Sequence, residues 1–271
     1  MLKMITAVAV VTLSLAACGG GGGDGGSTAP AAKTMKLSLY GQPFTSSQAV
    51  SHAQVVANAA ASSSDAVATV QTLQDALTAR GVPSTVTAQV MDGTTLHQIV
   101  MGENNGLPPT PDQFKTDPSG YLVVNFQLDD MVTRADDPAQ KSAVQQFIQD
   151  LTVFSQRASV SGKLVYAVVP IQTCDLPSGF SGSDALNYAI TQAASKTLLN
   201  KIGAIPFGFG WDSAGHVINT ADTAHLGADC RTPDAYLLNM RTNAIADYIA
   251  ALYKETAAPA GAASGASATG T

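Results

Sequence analysis

The chain has 271 residues and a formal charge of −6, with 14 Lys and Arg against 20 Asp and Glu, and 45% of its residues are hydrophobic. No cluster of Lys and Arg marks a nucleic-acid footprint, so that class of partner is excluded. Three cysteines, one of them close to the N-terminus, and four scattered histidines do not make a zinc set.

Met1 to Ala17 reads as a secretory signal: Lys3 supplies the positive end, and Ile5 to Leu15 an apolar core too short to span a bilayer as a helix. The segment closes on Leu15-Ala16-Ala17-Cys18, which resembles a bacterial lipobox. That resemblance implies lipidation of Cys18, a chain anchored to the membrane from its N-terminus, and residence in the bacterial cell envelope. The residue after Cys18 is not Asp, which points to the outer membrane. Residues 18–32 are rich in Gly, Ser, Ala and Pro and read as a flexible tether. Residues 33–254 suffice for one buried core in one domain. Residues 255–271, dominated by Ala, Gly and Ser, read as a disordered tail.

Within the domain, Met35 to Tyr40 is a short apolar run that breaks at Gly41, which predicts a first strand. Ser64 to Ala79 carries Ala66, Val67, Val70, Leu73, Ala76 and Leu77 at helical spacing. Thr85 to Met91 is β-branched enough for a second strand. Thr95 to Met101 predicts a short helix closed by Gly102. A loop dense in Pro, Gly and Asp then leads to Tyr121 to Leu128, an apolar run suited to a buried parallel strand. Pro138 to Ala158 predicts an amphipathic helix burying Val144, Phe147, Ile148, Leu151 and Phe154. Lys163 to Val169 predicts a fourth strand, Ser183 to Ile202 a helix, Ala204 to Phe209 a fifth strand, and Pro233 to Tyr253 a last helix burying Leu237, Leu238, Ile245, Tyr248, Ile249 and Leu252.

Strands alternating with helices predict an α/β fold: a three-layer α/β/α sandwich around a central parallel sheet. Ligands of such folds bind at the carboxyl ends of the strands. Those ends carry Gly41-Gln42-Pro43-Phe44-Thr45, Asp92-Gly93-Thr94-Thr95, Gln127-Leu128-Asp129-Asp130 and Pro170-Ile171-Gln172-Thr173-Cys174. Asp222-Thr223-Ala224-His225 precedes the last helix. An Asp three residues before a His can fix the imidazole tautomer, and such a His can act as a general base. Cys174 and Cys230 form an even pair that reads as a disulfide in an exported protein, and it would fasten the His225 loop to the sheet. His97 and His216 show no partner in sequence and read as structural or surface residues. Trp211 reads as a packing residue, with stacking on a ligand as the alternative.

In order and placement these segments resemble the SGNH (GDSL-like) hydrolase family, from Met35 to about Tyr253. The family's pattern is a GDS turn after the first strand, a glycine after the second, GxND after the third, and DxxH before the last helix. The resemblance implies that Gly93 stands at an oxyanion-hole glycine, that Asp222 and His225 stand at acid and base, and that Asp129 stands at the family's asparagine. Pro43 stands where the family has its serine nucleophile, and Gln42 where it has the aspartate of the turn. Pro43 supplies neither an attacking oxygen nor a backbone N–H. An ionised Asp129 would repel an oxyanion rather than stabilise it.

The resemblance therefore implies an envelope lipoprotein with a domain degenerate at nucleophile and oxyanion positions, acting as a binding or structural module. The alternative is an ester hydrolase, acting on carboxylic esters or carbohydrate acetyl groups, in which Thr45 or Ser46 replaces the missing nucleophile. Thr94 and Thr95 are further hydroxyls there, and each reads first as a helix cap or loop hydroxyl. The implied ligand is an envelope glycan or an acyl group, with no cofactor and no resident metal. A cation site from Asp129, Asp130, Asp222 and His225 is a third, weaker reading, suited to hard cations.

Overall fold

The computed structural model describes residues 33–44, 62–103, 107–215, 217–218 and 222–257. The signal segment, Cys18, the tether, Thr45, Ser46, His52, His216 and residues 258–271 lie outside the described residues. Five strands make one sheet: β1 (Met35–Gly41), β2 (Ser84–Val90), β3 (Tyr121–Asn125), β4 (Leu164–Val168) and β5 (Asn200–Ile202). Their order is β2-β1-β3-β4-β5, and all four pairings are parallel. The helices are α1 (Ser62–Thr78), α2 (Leu96–Met101), α3 (Pro138–Val160), α4 (Gly182–Ala194) and α5 (Ala235–Ala257), with a 3-10 turn at Asp222–His225.

Alternation along each strand divides the core in two. Tyr40, Leu122, Val124, Val165 and Ala167 pack with residues of α2, α3 and α4. Leu37, Leu39, Val123, Tyr166 and Val168 pack with residues of α1 and α5. The fold is the expected three-layer α/β/α sandwich with a central parallel sheet. Both faces of the central strands are covered, which is why β1, β3 and β4 read as largely apolar runs. The stripe expected on α3 is buried in full: Val144, Phe147, Ile148, Leu151 and Phe154. Two expected inward residues are not: Val67 is 68% exposed and Tyr248 40% exposed.

Helix starts follow from caps. Thr95 accepts from Gln98 N while Gln98 reaches back to the Thr95 N–H, a complete capping box, and Gly102 closes α2 in the left-handed region. Asp137 caps α3 ahead of Pro138, and Ser181 with Asp184 caps α4.

One expected helix was too long and one expected strand misplaced. α4 ends at Ala194, and Thr197 Oγ1 donates to the Ala193 carbonyl at 3.0 Å. The fifth strand is Asn200–Ile202, paired with Tyr166, Ala167 and Val168. Residues 204–209, interrupted by Pro206 and Gly208, cross as a loop instead. Ile205, Phe207 and Phe209 pack there on Ile171, Leu226, Leu237 and Leu238. The third strand also ends earlier than its apolar run, at Asn125. The last helix continues to Ala257.

Strand order reverses between β1 and β3, whose chains leave the sheet in opposite directions. In a parallel α/β sheet that reversal opens a crevice outside the carboxyl ends of the two strands. Gly41 to Phe44 and Phe126 to Asp129 are therefore the first place to look for a site.

Candidate functional site

The turn after β1 is tightly held. Gly41 has φ 89°, and a Cβ there would lie 2.5 Å from the Asn125 carbonyl oxygen, so both conformation and space demand glycine. Gln42 N donates to Asn125 O at 2.7 Å, and Asn125 Nδ2 donates to Gln42 O at 2.8 Å. Phe44 N donates to Thr69 Oγ1 on α1 at 3.1 Å, while Phe44 O accepts from Arg241 Nη2 on α5 at 2.8 Å. β3, α1 and α5 thus fix the turn together. Pro43 sits inside it and is buried. The position expected of a nucleophile is a buried ring.

Beside this turn lies a cavity of about 20 Å³, room for roughly one water molecule, bounded by Gln42, Gly93, Thr94, Thr95, Gln127 and Asp129. Three strand-end segments that were separate in sequence therefore meet. Gly93 has φ 92°, and nothing stands within 4 Å of where its Cβ would be, so its glycine is required by conformation and its surroundings are open. Asp129 is exposed and makes no hydrogen bond or ion pair with the described residues. Ionised, it can only accept, so it offers an oxyanion nothing. The hydroxyls present are engaged. Thr94 Oγ1 donates to Asp92 Oδ1 at 2.6 Å, and Thr95 Oγ1 is the cap of α2.

His225 does not line this cavity, and neither do Asp222 and Pro43. The expected pairing of His225 with Asp222 is replaced by another. His225 Nδ1 meets Asp234 Oδ2 at 2.8 Å, and the ring stacks on Tyr236 with centroids 4.4 Å apart. Asp234 also caps α5, where its Oδ1 accepts from Leu237 N at 3.0 Å. The His225 hydrogen bond is the first cause that holds the Asp234 carboxyl below the usual range. Asp222 instead opens the 3-10 turn that ends at His225. The physical reason is chain reversal: Leu226 pairs antiparallel with Pro233, and Asp234 N donates to His225 O at 2.9 Å, which brings residue 234 back alongside residue 225.

The expected disulfide is formed. Cys174 and Cys230 are bonded across 56 residues, Cys174 N donates to Cys230 O at 3.0 Å, and Arg231 meets Asp175 at 3.2 Å. These contacts tie the His225 loop to the segment after β4. Among the described residues no three His, Cys, Asp or Glu side chains gather to hold a metal ion. Asp130 binds Thr133 and the Val132 N–H, and His225 binds Asp234, so the cation reading lacks its ligands.

His97, which shows no partner in sequence and reads as a structural or surface residue, is exposed and has a partner from α3. Its Nδ1 lies 3.0 Å from Asp150 Oδ2, and Asp150 is buried at 5% exposure on α3. Sequence offered one signal for this pair. Residue 150 falls within the buried stripe of α3, three residues after Phe147 and four before Phe154, and a carboxylate there needs a partner. Trp211 is half-buried, edge-on to Phe209 at 6.3 Å and bridged to Val217.

No family profile and no curated protein matches the sequence. Among solved structures, the chain is similar over 80% of its length to a protein from Slackia heliotrinireducens provisionally assigned as an SGNH hydrolase. Identity is 13%, all of that chain is covered, and the TM-score is 0.47. It is also similar over 80% of its length to a psychrotrophic esterase from a Pseudoalteromonas species, solved with monoethylphosphonate as inhibitor. Identity is 10%, 97% of that chain is covered, and the TM-score is 0.46.

Proposed function

We propose that this chain is a lipid-anchored envelope protein whose domain, which resembles SGNH hydrolases in sequence pattern, binds a ligand at the β1/β3 crevice without hydrolysing it. The observation that supports this best is Pro43. It is buried in the turn where a nucleophile would stand, and it brings neither a hydroxyl nor an N–H. Three further features agree. Asp129 adds a carboxylate where an oxyanion would need donors. Thr94 and Thr95 are committed to local hydrogen bonds. The His225 imidazole does not line the cavity.

The direct test is turnover on a panel of short p-nitrophenyl esters and acetylated sugars. The expected result is a rate at the buffer blank. Wild-type hydrolysis that disappears in His225→Ala, with the fold intact, would refute the binding reading. It would favour the hydrolase alternative, with Thr45 or Ser46 as nucleophile. That alternative draws on one feature, the acid-held ring of His225. The anchor is tested separately: Cys18→Ala is expected to move the protein from the membrane fraction to the soluble fraction. Fractionation that leaves it in the membrane would count against lipidation.

A further inference from the structure

The small cavity at Gly93 opens beside a larger one of about 460 Å³ between α2 and α3, and Thr95, Gln127 and Asp129 belong to both. That volume is in the range of small-molecule sites, about 300–1,000 Å³. Its floor is apolar: Leu96, Leu128 and Phe147 are at most 7% exposed. Its rim is polar. Ser142, Gln146 and Asp150 stand at i, i+4 and i+8, one stripe of α3, and face His97 of α2.

We propose that this groove is a ligand subsite of the crevice, and that its ligand is a neutral, hydroxyl-rich molecule of the sugar type. The proposal rests on the binding reading given above. Charge selects the class. Asp129 and Asp150 line the groove, and among the described residues no Lys or Arg does, so an anionic ligand would be repelled. Hydrogen-bond capacity selects further. Asp129 is acceptor-only when ionised, and Gln127 and Gln146 each offer a carbonyl. His97 is arranged to accept as well. With Nδ1–H given to Asp150 at 3.0 Å, Nε2 is the ring nitrogen that carries the lone pair in the neutral tautomer. Gln146 Nε2 donates to Asp150 at 3.1 and 3.2 Å and steadies the same carboxylate.

A buried carboxylate holding a ring that is itself 51% exposed is a costly way to stabilise a fold. It is a reasonable way to hold an acceptor at a binding surface. A ligand with several O–H donors on its edge and a C–H face for the apolar floor satisfies the whole lining. A pyranose ring has that chemistry.

The test is calorimetric titration of the full chain in detergent micelles. The probes are cellotriose and chitotriose, with spermidine and glucose 6-phosphate as cationic and anionic counterparts. A neutral trisaccharide is expected to bind best and glucose 6-phosphate not at all. His97→Gln keeps an amide donor beside Asp150 and Gln146→Leu leaves Asp150 its bond from His97, so both variants should fold, while affinity falls about tenfold, the scale of one lost hydrogen bond. The proposal is overturned if neither trisaccharide binds, if spermidine binds more tightly, or if both variants bind as wild type does. Ester hydrolysis would defeat the non-hydrolytic reading separately, because the variants' affinities report on the groove whether or not turnover occurs.

Discussion

Asp117→Ala is expected to destabilise the domain by about 3 kcal/mol through a single orphaned hydroxyl and its neighbours. Asp117 lies in the loop before β3 and gathers four donors. Tyr40 Oη donates at 2.8 Å, Ser38 Oγ at 2.9 Å, Ser119 Oγ at 2.6 Å and Ser119 N at 2.9 Å. Lys163 Nζ steadies the loop through the Asp117 and Ser119 carbonyls. Without the carboxylate, Ser38 and Ser119 keep each other at 2.8 Å. Tyr40, 1% exposed, keeps no partner. An unsatisfied buried donor costs about 1–3 kcal/mol, and the lost charge-assisted bonds bring the total to about 3. For a domain of this size that lowers the melting temperature by roughly 9 °C. Burial, and then the Asp117 charge, push the Tyr40 phenol well above its usual pKa, so it stays a donor. Burial alone would raise the Asp117 pKa, but the bonds from Ser119, Tyr40 and Ser38 outweigh it and hold the carboxyl low. A carboxyl with a depressed folded pKa stabilises above its unfolded value, about 3.9, and that contribution fades as pH falls through the folded value. The gap between wild type and variant should therefore narrow in acid. Thermal melts at neutral and acid pH check this. A second substitution checks the mechanism: Tyr40→Phe should destabilise wild type yet stabilise Asp117→Ala, because it deletes the orphan. An equal cost in both backgrounds would refute the reasoning.

Asp234→Ala removes the cap of α5 and the acid on His225 together. A loss of about 1 kcal/mol is expected from the cap, read by chemical denaturation, with a shifted His225 C2-proton resonance read by NMR. An unmoved resonance would mean that the His225–Asp234 bond does not persist in solution. Replacing Cys174 and Cys230 together by Ala should cost about 4 kcal/mol for a closed loop of this length. A thiol assay on the unreduced wild type should detect no reaction at these two positions. Two reactive thiols there would refute the bridge.

Most of the fold was legible because burial leaves simple marks. A strand covered on both faces is a largely apolar run, and β1, β3 and β4 announced themselves that way. α3 did so by its period. β5 did not, because three residues carry no period of their own, and its strand state comes from pairing with β4. The apolar spacing of Leu198, Leu199 and Ile202 instead extended the helical pattern past Ala194. The break at Gly41 and the proline after it were also legible, since glycine and proline act on the backbone locally. The partner of His225 was not. Sequence offered the nearest acid, Asp222, whereas the acid in place arrives by a reversal of the chain that the Cys174–Cys230 bond helps to fix.

What sequence did contain, and what propensity alone does not reveal, is polarity inside an apolar pattern. Asn125 ends the run Tyr-Leu-Val-Val-Asn and is 2% exposed; it holds Gln42 by two hydrogen bonds and so sets the turn that carries Pro43. Asp150 interrupts the buried stripe of α3 and orients His97. Ser38 sits in β1 at 0% exposure and helps to hold Asp117. Each such residue opposes burial unless partnered, and each partner lies far away in sequence. Two of the three act at the crevice or the groove beside it. A polar residue that breaks a burial pattern is therefore a better pointer to this site than a short motif such as Asp222-Thr223-Ala224-His225. The pattern break states an energetic debt that the fold must meet, and the motif states only proximity along the chain.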